Sequence, residues 1–179
     1  ISSNINVTGT MSVGANCIVD PAAGIQFNSG GAAGTISGSG TIKVTRTTGT
    51  PDYSNQYLFS TNTLSSMTVN YAGTGNQTIN AFTYGNLETS GSGTKTISAD
   101  FVVNGDVTIG AGTTLTAPSG GSDDIDINGD WTNNGTFSAG DDLVQFTGVA
   151  AQTIGGTTAT TFNNLTLNNT AGLSLLQNA

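Results

Sequence analysis

Short runs of alternating apolar and polar residues cover most of the chain. In VVNGDVTIGAGTTLTAP, Val103, Val107, Ile109 and Leu115 fall on one side, and Asn104, Thr108 and Thr114 on the other. A period of two is that of a strand with one buried face. β-Branched residues dominate these runs, and Gly and Asn separate them. Asn-Gly recurs at 104–105, 128–129 and 134–135, which predicts tight turns with positive φ. No segment sustains i, i+3, i+4 apolar spacing. Helix is therefore expected in under about 5% of residues, against roughly 30–35% in ordinary globular domains.

The runs repeat. Residues 1–21 (ISSNINVTGTMSVGANCIVDP) align with 97–118 (ISADFVVNGDVTIGAGTTLTAP), with one extra residue at Thr113. The alignment matches Ile5 with Phe101, Val7 with Val103, Met11 with Val107, Val13 with Ile109 and Ile18 with Leu115. GTISGSGTIKV at 34–44 parallels GTFSAGDDLVQF at 135–146, and VNYAGTGNQTI at 69–79 parallels VQFTGVAAQTI at 144–154. YGNLETSGSGTKTI at 84–97 then matches FNNLTLNNTAGLSL at 162–175. The chain reads as one continuous solenoid segment, 1–179. It holds a long copy at 1–96, a shorter copy at 97–174 and the start of a third at 175–179. The length difference lies in an insertion at 45–66, expected to be a loop.

Short strands of this kind suit a sandwich or a solenoid. End-to-end copies and the scarcity of charges within the runs favour an all-β, elongated parallel β-helix or β-solenoid. At about 20–25 residues per turn, the chain would make roughly eight turns. At about 4.8 Å per turn that is a rod of some 35–40 Å. Alternation and equivalence between copies place Val7, Val13, Ile36, Val103, Val107, Ile109, Leu115 and Ile125 inward. The same reasoning adds Ile127, Phe137, Val144, Phe146, Ile154, Phe162, Leu165 and Leu167.

Composition narrows the function classes. Only 8% of residues are charged, well below the roughly 25% of a typical soluble domain. Thr, Asn, Ser and Gly supply the polarity. The net charge is −8, with no histidine and three basic residues, Lys43, Arg46 and Lys95. Nucleic acid and anionic membrane surfaces are poor partners for such a chain. No apolar run is long enough to predict membrane insertion. Cys17 is the single cysteine, so it has no internal disulfide partner, and it reads as a small semi-buried residue.

DINGDWTNNGTFSAG (126–140), FTGVAAQTIGG (146–156) and TFNNLTLNNTAGLSL (161–175) resemble repeats of large Bacteroidota cell-surface adhesin-like β-strand-repeat proteins. That resemblance implies a secreted stalk or adhesin region at the bacterial cell surface, with a parallel β-helix-like fold and no catalytic residues. It covers 67–179 well and 1–44 more loosely, and omits 45–66.

Candidate chemistry is sparse. All eight acids of residues 97–179 are Asp, without a basic residue among them. Asp124, Asp126, Asn128 and Asp130, with Gly129, fit the first half of a calcium-loop pattern, D-x-D-x-N-G. Gly135 stands where the pattern closes with Glu. The other reading is a solvated amphipathic strand, with Ile125 and Ile127 inward. Ca²⁺ is the one cofactor candidate. Tyr53 and Tyr57, on the insertion, are candidates for glycan contact. Trp131 reads as a core or cap residue. No enzyme is expected, because glycoside and polysaccharide chemistry calls for acids converging with a base. Ice binding would need regular Thr-x-Thr arrays on one face. The triplets 45–47, 61–63, 94–96 and 158–160 are irregularly spaced. The sequence thus points to a structural stalk or spacer segment of a secreted surface adhesin or filament protein. A glycan-binding adhesive module is the alternative. The expected partners are neighbouring repeats of a longer chain, glycans, or copies associating laterally.

Overall fold

A computed structural model describes residues 4–118 and 124–176. It is a parallel β-solenoid. Every strand pairing within it is parallel, and each strand pairs with segments one turn before or after it. One sheet of eight strands runs the length of the solenoid, from Ile18–Val19 through Thr41–Val44, Thr68–Tyr71 and Asn86–Thr89 to Leu173–Leu175. A five-stranded sheet, a four-stranded sheet and a three-stranded sheet form the remaining walls. Turn length varies with what each turn must contain: Thr41 to Thr68 spans 27 residues, and Thr68 to Asn86 spans 18.

Alternation along each strand becomes a ladder across strands. In the long sheet Val19, Ile42, Val69, Leu87, Val107, Trp131, Ile154 and Leu175 pair in unbroken register. Ile18, one residue earlier, therefore points outward and is 63% exposed. A one-residue offset moves a side chain from core to solvent, which is why the match of Ile18 to Leu115 misplaces it.

Eleven of the sixteen residues expected inward are buried, and Val7, Ile154 and Phe162 are partly buried against the same core. Leu165 and Leu167 are instead 42% and 55% exposed. They pair with Val144 and Phe146 and so share the inward side. No strand among the described residues lies over them, so orientation alone does not bury them. Of the proposed third copy, 177–179 lie outside the described residues.

The sequence copies do not coincide with structural turns. Val69 and Tyr71 belong to the long sheet, whereas their counterparts Val144 and Phe146 belong to the five-stranded sheet. A strand needs only the right alternation to serve in either wall. What the copies do preserve is an anchor. The amide of Gln77 donates to Val44 O (2.8 Å) and Arg46 O (3.0 Å), and its oxygen accepts from Gly73 N (3.0 Å). Gln152 likewise donates to Ile127 O and Gly129 O and accepts from Gly148 N. Each buried Gln ties its own turn to the backbone of the turn before it. A Cβ on Gly73 would lie 2.8 Å from the Gln77 amide carbon, so the G-x-x-x-Q spacing needs glycine there.

The Asn-Gly pairs are turns, but Gly105, Gly129 and Gly135 do not have positive φ. They are glycine because turns stack on them. Gly129 N donates to Gly105 O, and Gly105 N to Gly85 O. A Cβ on Gly129 would sit 2.4 Å from the Gly105 carbonyl. Hairpin geometry misleads here, since the neighbour across the turn is the adjacent coil rather than the returning strand.

The segment 45–66 is not an external loop. It holds the one helix of the described residues, Tyr53–Gln56, and the strand Thr61–Asn62 of the three-stranded sheet. Asp52 caps the helix by accepting from Asn55 N at 2.7 Å. Tyr53, Tyr57, Phe59 and Leu64 all enter the core.

Candidate functional site

Tyr53 and Tyr57 are 0% and 1% exposed. They stack on each other (5.2 Å, 13°), and Tyr57 stacks on Phe27 (4.9 Å, 9°). Their hydroxyls donate inward, Tyr53 to Asn62 Oδ1 at 2.6 Å and Tyr57 to Lys43 O at 2.7 Å. The expected glycan contact at these residues is therefore corrected: neither ring presents a face to solvent. The 27-residue turn encloses a wider interior, and large aromatic side chains fill it.

Tyr71 and Tyr84 continue this interior, with their hydroxyls 3.2 Å apart and Tyr84 donating to Asn80 O. Burial pushes the phenols of all four tyrosines well above their ordinary range. Trp131 is fully buried too, against Phe137 and Phe162, and its indole N–H donates to Thr160 Oγ1. Cys17 is exposed rather than semi-buried.

Lys95 is the least expected interior residue. It is 0% exposed, and its ammonium donates to Gly73 O, Gly75 O, Gln77 Oε1 and Ser92 O at 2.7–3.0 Å. Burial pushes its pKa down to about 8, so it remains charged at neutral pH. Its counterpart in the second copy is Leu173, so the sequence offered no sign of a buried cation.

The calcium candidates do not converge. Asp124 and Asp126 lie two apart on the strand Asp124–Ile127, Asn128 is in the following turn, and Asp130 precedes the next strand. Three of the four are engaged separately. Asp124 Oδ2 accepts from Gln145, Asn128 Oδ1 from Thr147, and Asp130 Oδ1 from Thr153 N. A calcium loop wraps its ligands around one point, whereas this segment is extended. Among the described residues, no three acidic or cysteine side chains are grouped to hold a metal ion.

The structure brings together a different set. Asp100, Asp124 and Asp126 line an open groove of about 320 Å³ with Phe82, Thr83 and Val102. Asp100 accepts from Asp124 N at 3.0 Å. Burial, then the nearby Asp124 and Asp100, raises the pKa of Asp126, whose Oδ1 accepts no hydrogen bond. No protein-family model, no curated protein and no solved structure matches the chain. The groove must be read from its own chemistry. Its carboxylates face Thr and apolar groups with no basic residue in the lining, an arrangement suited to hydrogen-bonding a polyol or attracting a cationic group. Phe82, half-buried, offers the one ring in the lining that is not fully enclosed.

Proposed function

We propose that this chain is a non-catalytic spacer segment of a secreted, bacterial cell-surface adhesin or filament protein. The supporting observation is the inward ladder of the long sheet, continuous from Val19 to Leu175. A wall joined turn by turn resists bending and grows by simple addition, as a spacer requires. The terminal turns favour further turns as neighbours. Among the described residues, the strongly exposed large hydrophobic side chains lie at 5–18 or 149–176, while all fourteen charged residues lie between Asp20 and Asp142. The test is small-angle scattering on one chain and on tandem copies. Length should double at constant cross-section, without turnover of any polysaccharide. A collapsed or jointed tandem defeats the spacer reading.

A second reading, a glycan-binding adhesive module, draws on the groove around Asp100, Asp124 and Asp126. Glycan-array binding abolished by Asp124→Asn together with Asp126→Asn would establish it. Binding that survives the double substitution would remove this groove from the reading.

A further inference from the structure

The outer surface of the four-stranded sheet carries a regular set of hydroxyl-bearing residues. Thr94 and Thr96 pair with Thr114 and Thr116, and Thr114 and Thr116 pair in turn with Thr136 and Ser138. Thr78 extends the second row by pairing with Thr96. Between the two rows the inward residues Lys95, Leu115 and Phe137 are buried. The hydroxyl-bearing residues therefore stand on the outer side, two per strand over three successive turns. Parallel strands in register set neighbours within a row about 4.8 Å apart, and the two rows, at i and i+2, about 6.6 Å apart along each strand. The result is a two-dimensional grid of hydroxyl groups. The Thr-x-Thr triplets of the sequence concealed it, because TKT (94–96) stacks on TLT (114–116) and TFS (136–138) rather than on any other triplet.

The chemistry of this grid is uniform. It contains no charge and no aromatic ring. Two other walls do: the outward row of the long sheet includes Lys43, Asn70 and Glu88, and that of the five-stranded sheet includes Asp126 and Gln145. The three-stranded sheet repeats the hydroxyl pattern on a smaller scale, with Thr10, Thr35 and Thr61 in one row and Ser12 and Ser37 in the other. The grid is also stiff. Threonine has restricted χ1 freedom. Beneath it three hydrogen bonds of Lys95, to Gly73 O, Gly75 O and Gln77 Oε1, tie the strand Gly93–Ile97 to the turn before. A rigid array of hydroxyl and methyl groups orders water at fixed spacing with little further entropy cost. Sugars are instead gripped by rings and carboxylates, which this face lacks.

We propose that this face binds ice, its ligand being the ordered water lattice itself. The proposal is independent of the spacer reading, since a spacer with an inert wall would serve equally. The test exposes the purified chain to a growing polycrystalline ice hemisphere and measures its uptake, together with ice-crystal shaping under a microscope. Wild type should be taken up and should facet the crystals. Thr96→Tyr and Thr116→Tyr, which break the plane from exposed or half-exposed positions, should lose both effects. Thr132→Tyr on the long sheet should keep them, with circular dichroism confirming the fold of each variant. Ser138→Thr completes the grid and should increase uptake. Exclusion of wild type from ice, equal loss in Thr132→Tyr, or capture on chitin or cellulose in place of ice would each overturn the proposal.

Discussion

Raising the pH tests the interior directly. All four tyrosines of the chain, Tyr53, Tyr57, Tyr71 and Tyr84, are at most 1% exposed. Burial holds each phenol above its ordinary pKa of about 10. In the unfolded chain they ionise near that value. Above it the folded state binds more protons than the unfolded state, so stability is intact below pH 10 and falls as pH rises. Each proton contributes a slope of about 1.36 kcal/mol per pH unit, and four give about 5 kcal/mol per unit. A domain stability of about 5–15 kcal/mol is then exhausted roughly one to three units above pH 10. Phenolate absorbance at 295 nm and far-UV circular dichroism should therefore change together, in one steep step. Because the four rings lie between 53 and 84, fluorescence of Trp131 reports whether the second half follows. Phenolate appearing gradually from pH 10 with unchanged circular dichroism would refute the reasoning, since it would place the rings in water.

The glutamine anchors should matter more than any surface polar residue. Gln77→Ala and Gln152→Ala each remove several buried hydrogen bonds and should cost about 3 kcal/mol in urea unfolding; a change near zero would mean the turns do not depend on them. Gln77→Glu should be milder than Gln152→Glu, because only Gln77 accepts from the Lys95 ammonium. Lys95, with its pKa lowered to about 8, makes the folded state bind fewer protons than the unfolded state between pH 8 and about 10.4. Stability should rise by up to about 1.4 kcal/mol per unit through that window, peaking near pH 10. A flat profile would mean that the four oxygens around the ammonium offset its burial. Trypsin should cut the native chain at Lys43 or Arg46 and spare Lys95, as mass spectrometry of the fragments would show. Calcium and chelator should give the same melting temperature, since Asp124, Asp126, Asn128 and Asp130 do not converge; a rise of several degrees with calcium would contradict that geometry.

The strand period, the near absence of helix and the inward set from Val103 to Phe146 are legible in the amino-acid order. All of these follow from local alternation, which any parallel coil must keep. The same order carries the G-x-x-x-Q anchor as a repeated phrase, 73–77 and 148–152, although the reason for the phrase lies in the preceding turn. Which segments become neighbours depends on the coiling itself, because turns of 18 to 27 residues place partners in space that no fixed sequence interval predicts. That coiling turned Tyr53 and Tyr57 from loop residues into core. It spread the D-x-D-x-N-G acids along an extended strand and drew Asp100 to Asp124. It made Gly105 and Gly129 contact points between coils, and it buried Lys95 among carbonyl oxygens. The same coiling aligned TKT, TLT and TFS into one grid. A side chain's inward or outward sense is set by its strand neighbours, but its environment is set by the coil above and the coil below.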